Sequence, residues 1–196
     1  MAIKVQSFSG EAILPFLPEL ARLRISVFRE WPYLYEGTLE YEEEYLQTYV
    51  RAPQSVLVIA FDDDKVIGAS TALPMHNEPS NVQAPFIANG YNIQEIFYYG
   101  ESVLDAAYRG RGVGVAFFNH REAWARSQKG FTWAAFCGVV RPDDHPLKPT
   151  GYTPLDAFWH KRGFSPTELY CHMDWLDLNE KEETSKPLRF WLKSLV

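Results

Sequence analysis

The chain has 196 residues, 46% of them hydrophobic, 22% charged and 15% aromatic, and a formal net charge of -6. That apolar content can offset chain entropy, which excludes a disordered chain, and the length suits one domain, residues 1–196, around a single core. An acidic balance excludes a general nucleic-acid binder, which needs a basic face, and no run approaches the roughly 20 apolar residues of a membrane-spanning helix.

The start, Met1 to Gln6, has no basic segment followed by an apolar run, so no secretory signal is read there and a cytoplasmic location is expected. Ile3 to Phe8 alternates apolar and polar, as a half-buried strand does. From about Leu14 to Arg29 the residues Leu17, Leu20, Leu23, Val27 and Phe28 recur every three or four positions, which predicts a helix with Pro15 and Pro18 in its first turn. Thr38 is the N-cap of a second helix, and Glu40, Glu42, Glu43 and Glu44 near its start read as a solvated acidic end that complements the macrodipole.

Ser55–Phe61 and Val66–Leu73, joined by Asp62-Asp63-Asp64-Lys65, form a β-hairpin; the three acids read as a polar turn rather than a metal cluster. Residues from about 75 to 95 are richer in Pro, Asn and Gln and read as an insertion that holds one short helix. Phe97 to Leu104 restores strand character, and a helix beginning at Val113 follows. Phe131 to Val140 is a fifth strand, Leu155 to Phe164 a helix ending in Gly-Phe, and Leu169–Leu178 and Leu188–Leu195 are the last strands, joined by a charged loop, Asn179–Pro187. Cys137 and Cys171 lie in apolar runs without a CxxC spacing, which predicts buried free thiols and no metal site.

Between strand and helix stands Asp105-Ala106-Ala107-Tyr108-Arg109-Gly110-Arg111-Gly112-Val113-Gly114. A glycine-rich turn that opens a helix is a phosphate site, because the first N–H groups of the helix are unpaired and point outward with the positive end of the dipole. The dinucleotide fingerprint does not fit: counted from Gly110 and Gly112, its third glycine is Val115. GxxxxGK[ST] is absent. The spacing that fits is [QR]xxGx[GA], on Arg109, Gly112 and Gly114.

This motif resembles the pyrophosphate-binding turn of the GNAT N-acetyltransferase superfamily, and the order of elements is similar over nearly the whole chain. The resemblance implies an α/β (α+β) fold, a mixed, mostly antiparallel twisted sheet of about seven strands flanked by about four helices. It also implies acetyl-CoA as cosubstrate, an amine of a small molecule or protein as acceptor, and direct attack in a ternary complex; it is compatible with a homodimer. Backbone groups near Val103 and Leu104 would align the pantetheine arm, and Gly110, Gly112, Val113 and Gly114 would hold the diphosphate. Arg109 and Arg111 add positive charge or are solvated side chains.

The family's usual tyrosine, five residues before the Phe of Gly-Phe, is Trp159 here, whose indole N–H is not a usable acid. The asparagine often found seven residues earlier is Tyr152, which is a candidate substitute proton donor or a plain loop tyrosine. For a general base the candidates are Glu101 and His145. Alternation places Glu101 opposite Gly100 and Ser102, so only a bulge brings it to their face. Trp31, Tyr33, Tyr35 and Tyr98 are walls of an acceptor pocket or part of the core, and the insertion is a possible lid. The departure at Trp159 also keeps open a non-catalytic acyl-CoA-binding module.

Overall fold

A computed structural model describes residues 3–196. Two strands carry apolar residues on both faces, β2 (Val56–Asp62) and β3 (Lys65–Pro74), the pattern of a sheet covered on both sides. Around them run β1 (Lys4–Phe8), β4 (Ile96–Leu104), β5 (Trp133–Val139), β6 (Ser165–Trp175) and β7 (Thr184–Ser194), in the order β1-β2-β3-β4-β5-β7-β6. Every neighbouring pair is antiparallel except β4 and β5.

Among the described residues five α-helices flank the sheet. α1 (Leu17–Phe28), α2 (Leu39–Arg51) and α3 (Ser80–Ala88) bury Leu17, Leu20, Leu46, Tyr49, Val82 and Phe86 on one face. α4 (Val113–Ser127) buries Val113, Phe117 and Phe118 on the other, where Phe158 and Trp159 of α5 (Asp156–Lys161) also pack. Among the described residues no helix is long and apolar enough to cross a membrane.

Several elements depart from the expected bounds. The first helix begins at Leu17, with Pro18 in its first turn, and Pro15 lies in a preceding 3-10 turn, Gly10–Phe16. β6 starts four residues early, at Ser165, and β7 absorbs the end of the expected charged loop. Lys186, read as part of that loop, is buried and donates to Trp175 O at 2.6 Å and Glu180 Oε2 at 2.9 Å. The insertion is not a loose flap: Phe86 of α3 meets Phe190 edge-on at 4.7 Å, and Asn81 donates to His172 O.

Opposite β3, the fourth strand carries a bulge. Ser70 pairs with Ser102 and Ala72 with Tyr99, so Thr71 alone faces Gly100 and Glu101. The extra residue shifts the alternation, and Glu101 and Val103 join Ile96 and Tyr98 on the α1–α2 face. Gly100 is required there, because a Cβ would lie 2.2 Å from Tyr49 Oη and 2.7 Å from Thr71 Oγ1. Gly100→Ala is therefore expected to destabilise the fold by about 1–3 kcal/mol in urea unfolding, through overpacking.

Candidate functional site

Parallel β4 and β5 pair at only three positions, Ile96 with Trp133, Phe97 with Ala134 and Tyr98 with Ala135. Beyond them the strands diverge, β4 staying with β3 and β5 with β7, and a V-shaped cleft opens toward their C-terminal ends. The arm of β4 from Tyr99 onward thus has no strand on its β5 side. Near the vertex the hydroxyl of Tyr98 and the thiol of Cys137 meet across the arms at 3.0 Å.

The β4 arm leads into the glycine turn. Gly110 (φ 77°) and Gly112 (φ 84°) adopt left-handed backbone, which glycine takes without penalty, and Gly112 is the N-cap of α4. The first intrahelical bond runs from Ala116 N to Gly112 O, so the N–H groups of Val113, Gly114 and Val115 have no helical acceptor. Geometry separates the two arginines. Arg109 makes a bidentate pair with Glu30 (2.7 and 3.0 Å) and also donates to Leu104 O. Arg111 lies over the Tyr108 ring at 5.1 Å and has no carboxylate partner among the described residues. Tyr108 in turn donates to Asp62 at 2.7 Å, which gives the first acid of the Asp triplet a structural role.

Segment 29–35 straps the mouth of the V. Glu30 holds the β4 side through Arg109, and on the β5 side Arg141 donates to Pro32 O at 2.7 Å and Tyr33 O at 2.6 Å. The Arg141 side chain is buried and makes a second, bidentate pair with Asp177 at 2.6 and 2.9 Å. Lysine keeps the charge but not the planar fork that makes these four bonds, so Arg141→Lys is expected to cost about 1–3 kcal/mol in chemical unfolding. Trp31 projects from the strap against His145 (5.0 Å between ring centroids) and Tyr152 (6.0 Å). Three of the residues singled out in the sequence therefore share one wall. Tyr33 packs between Phe28 and Trp175, Tyr35 bridges to Asp177, and Tyr98 is in the core.

Under the bulge lies a buried ionic cluster. Arg24 of α1 pairs with Glu101 at 2.7 Å and with Glu42 of α2, and Tyr49 donates to Glu101 Oε2 at 3.4 Å. The sequence reading of Glu42 as part of a solvated acidic end is thus corrected: it is fully buried, one turn before Leu46 on the inward stripe, and Arg24 supplies its counter-charge. Burial opposes the charge on Arg24, but Glu101, Tyr45 and Glu42 outweigh it and raise its pKa above the ordinary guanidinium value. Among the described residues Glu101 Oε1 and Glu42 Oε1 have no hydrogen-bond partner. Behind the bulge, buried Arg121 of α4 donates to the carbonyls of Thr71 and Glu101, and burial lowers its pKa to about 10.

His145 Nδ1 accepts from Leu147 N–H at 3.2 Å, which leaves the ring proton of the neutral form on Nε2. Burial, and next Asp156, raise the pKa of Tyr152. Trp159 covers β5, with an edge that a Cβ on Gly138 would meet at 3.1 Å, and its ring packs on Phe136 and Trp191. Sequence reasoning missed Arg24, Arg121 and Arg141; the first two stand on the buried stripes of their helices, a detectable signal.

Residues 21–149 match the family model described as acetyltransferase (GNAT) family. The structure is similar to a ribosomal-protein-alanine N-acetyltransferase from Brucella melitensis (TM-score 0.64, 13% identity, 97% of this chain and 99% of that one). It is also similar to a GCN5-related N-acetyltransferase from Kribbella flavida (0.60, 19%, 98% of each). A third likeness is to an aminoglycoside 6'-N-acetyltransferase complexed with coenzyme A (0.56, 16%, 100% and 98%). At such identities the likeness is one of fold. No curated protein matches the sequence.

Proposed function

This chain belongs to the GNAT acetyltransferase family, and from that premise we propose that it transfers the acetyl group of acetyl-CoA to an amine by direct attack within a ternary complex. The observation that carries the reading is the continuity of the open β4 arm with the glycine turn. The amides of a pantetheine arm can pair with main-chain groups near Val103 and Leu104 much as a strand would. The diphosphate then falls at Gly110–Gly114, against the N–H groups that open α4 and the cation of Arg111. Arg109, committed to Glu30 and Leu104, acts through the shape of the turn.

The acceptor enters from the α1–α2 face, beside Glu101 and the Trp31, His145 and Tyr152 wall. Glu101 Oε1 attracts an ammonium there. His145, with Nδ1 occupied, is unsuited to serve as the base in this arrangement. A thiolate of pKa about 8.5 is a tolerable leaving group, and Tyr152, kept protonated by its burial, is the proton source on this wall. A cytoplasmic location goes with this reading.

Coenzyme A release in the presence of a panel of primary amines, read with a thiol reagent and by mass spectrometry of the product, tests the proposal. Acceptor-dependent release is expected. Trp159 in the proton donor's usual place favours a second reading, a non-catalytic acyl-CoA-binding module, and binding of acetyl-CoA without release to any amine would establish it.

A further inference from the structure

We infer that Glu30 is a positioning residue that diverts Arg109 from the donor's diphosphate to the strap over the cleft, and so fixes the acceptor wall at the expense of donor affinity. This rests on the proposed acetyl transfer. Arg109 opens the Arg109–Gly114 spacing and stands directly before Gly110. A free guanidinium at that place is a ready partner for a diphosphate. Its donors are engaged elsewhere: Nη1 and Nη2 reach Glu30 at 2.7 and 3.0 Å, and Nε and Nη2 reach Leu104 O at 3.3 and 3.2 Å.

The two ends of the strap are anchored unequally. On the β5 side the side chains of Arg141 and Asp177 are 8% and 2% exposed, whereas those of Arg109 and Glu30 are each 45% exposed, so the β4-side pair is weak and screened by salt. Between the anchors the backbone needs holding. Glu30 O accepts from the N–H groups of Tyr33 and Leu34, both at 3.1 Å, and Leu34 takes left-handed backbone, φ 55°, which is uncommon for a residue with a Cβ. The Glu30 side chain thus ties down the labile end of a segment whose other end is buried. Trp31, the next residue, is the one packed on His145 and Tyr152.

Charge decides the consequence. Paired with Glu30, Arg109 brings no net charge to the turn, and Arg111, which has no carboxylate partner among the described residues, is the cation left for the diphosphate. Without Glu30 the positive charge of Arg109 is uncovered one residue from Gly110 and attracts an anion there. Without Arg109 the carboxylate of Glu30 is uncovered instead and repels one. With both removed the charge balances again. A contact that only supports the fold has no such sign pattern, because its loss weakens binding whichever partner is removed.

The test is calorimetric titration of coenzyme A into the full chain, at about 50 mM and about 500 mM salt, for Glu30→Ala, Arg109→Gln and the double variant. At low salt Glu30→Ala is expected to bind about 3–10-fold tighter than the native chain, Arg109→Gln about 3–10-fold weaker, and the double variant within about 2-fold of native, with every difference smaller at high salt. Hydrogen exchange, read without ligand on a peptide that covers residues 29–35, should quicken about 10-fold in Glu30→Ala. A Glu30→Ala protein that binds coenzyme A no tighter than the native chain, or whose strap exchanges at the native rate, would overturn the inference. If Glu30→Ala does not fold, Glu30→Gln, which removes the charge and keeps a carbonyl that accepts from Arg109, decides by affinity and its salt dependence alone. A native chain that binds no coenzyme A overturns the acetyl-transfer reading instead.

Discussion

Gly112→Glu is expected to weaken acetyl-CoA binding by about 100-fold or more, close to 2.7 kcal/mol, while the chain stays folded. No heavy atom lies within 4 Å of a Cβ built at Gly112, so the new side chain meets no obstacle. Its structural cost is the left-handed backbone, φ 84°, roughly 1–2 kcal/mol for a residue with a Cβ. The loss of binding has another source. A carboxylate at the N-cap occupies the positive end of α4, neutralises it and repels the diphosphate. Gly112→Ala separates the contributions, since it carries the backbone cost without the charge and should lose far less affinity. Calorimetric titration of both variants measures this, and a Gly112→Glu protein that binds within about 3-fold of the native chain would remove the turn from the diphosphate site.

Arg24→Met is expected to give the largest loss of stability, about 3–5 kcal/mol, because it leaves Glu42 and Glu101 buried without their counter-charge. For a chain of this length that corresponds to a fall in Tm of about 6–20 °C. Adding Glu42→Gln and Glu101→Gln to Arg24→Met removes the uncompensated charges and should recover much of the loss. A single Arg24→Met protein within about 1 kcal/mol of the native chain would show that the cluster does not bear on folding. The cluster matters beyond stability, because it holds Glu101 at the bulge that faces the cleft.

Much of this architecture was legible in the chain. Strong alternation and continuous apolar runs located the strands, and the Arg109–Gly114 spacing located the turn, because both depend on local backbone chemistry. The ionic interior was not read. Arg24 stands in line with Leu17, Leu20 and Ala21, and Glu42 with Leu46 and Tyr49, on the buried stripes of adjacent helices. A charge on such a stripe calls for a partner of opposite sign, but the partners lie 18 residues apart on different elements. The Arg141 clamp depends on residues 36 and more than 100 positions away, a distance that no local pattern spans. The bulge at Gly100 is intermediate: parity raised the question, and only the register of β3 answers it.

The splayed β4 arm and the glycine turn are proposed to hold an acyl-CoA donor together. A crystal structure of the chain with coenzyme A bound tests it most directly. The diphosphate is expected at the main-chain N–H groups of Gly110–Gly114, the pantetheine arm along Val103 and Leu104, and the sulfur in the cleft between β4 and β5 with Glu101 on the acceptor side. Coenzyme A bound at another surface, with the cleft between β4 and β5 empty, would contradict it.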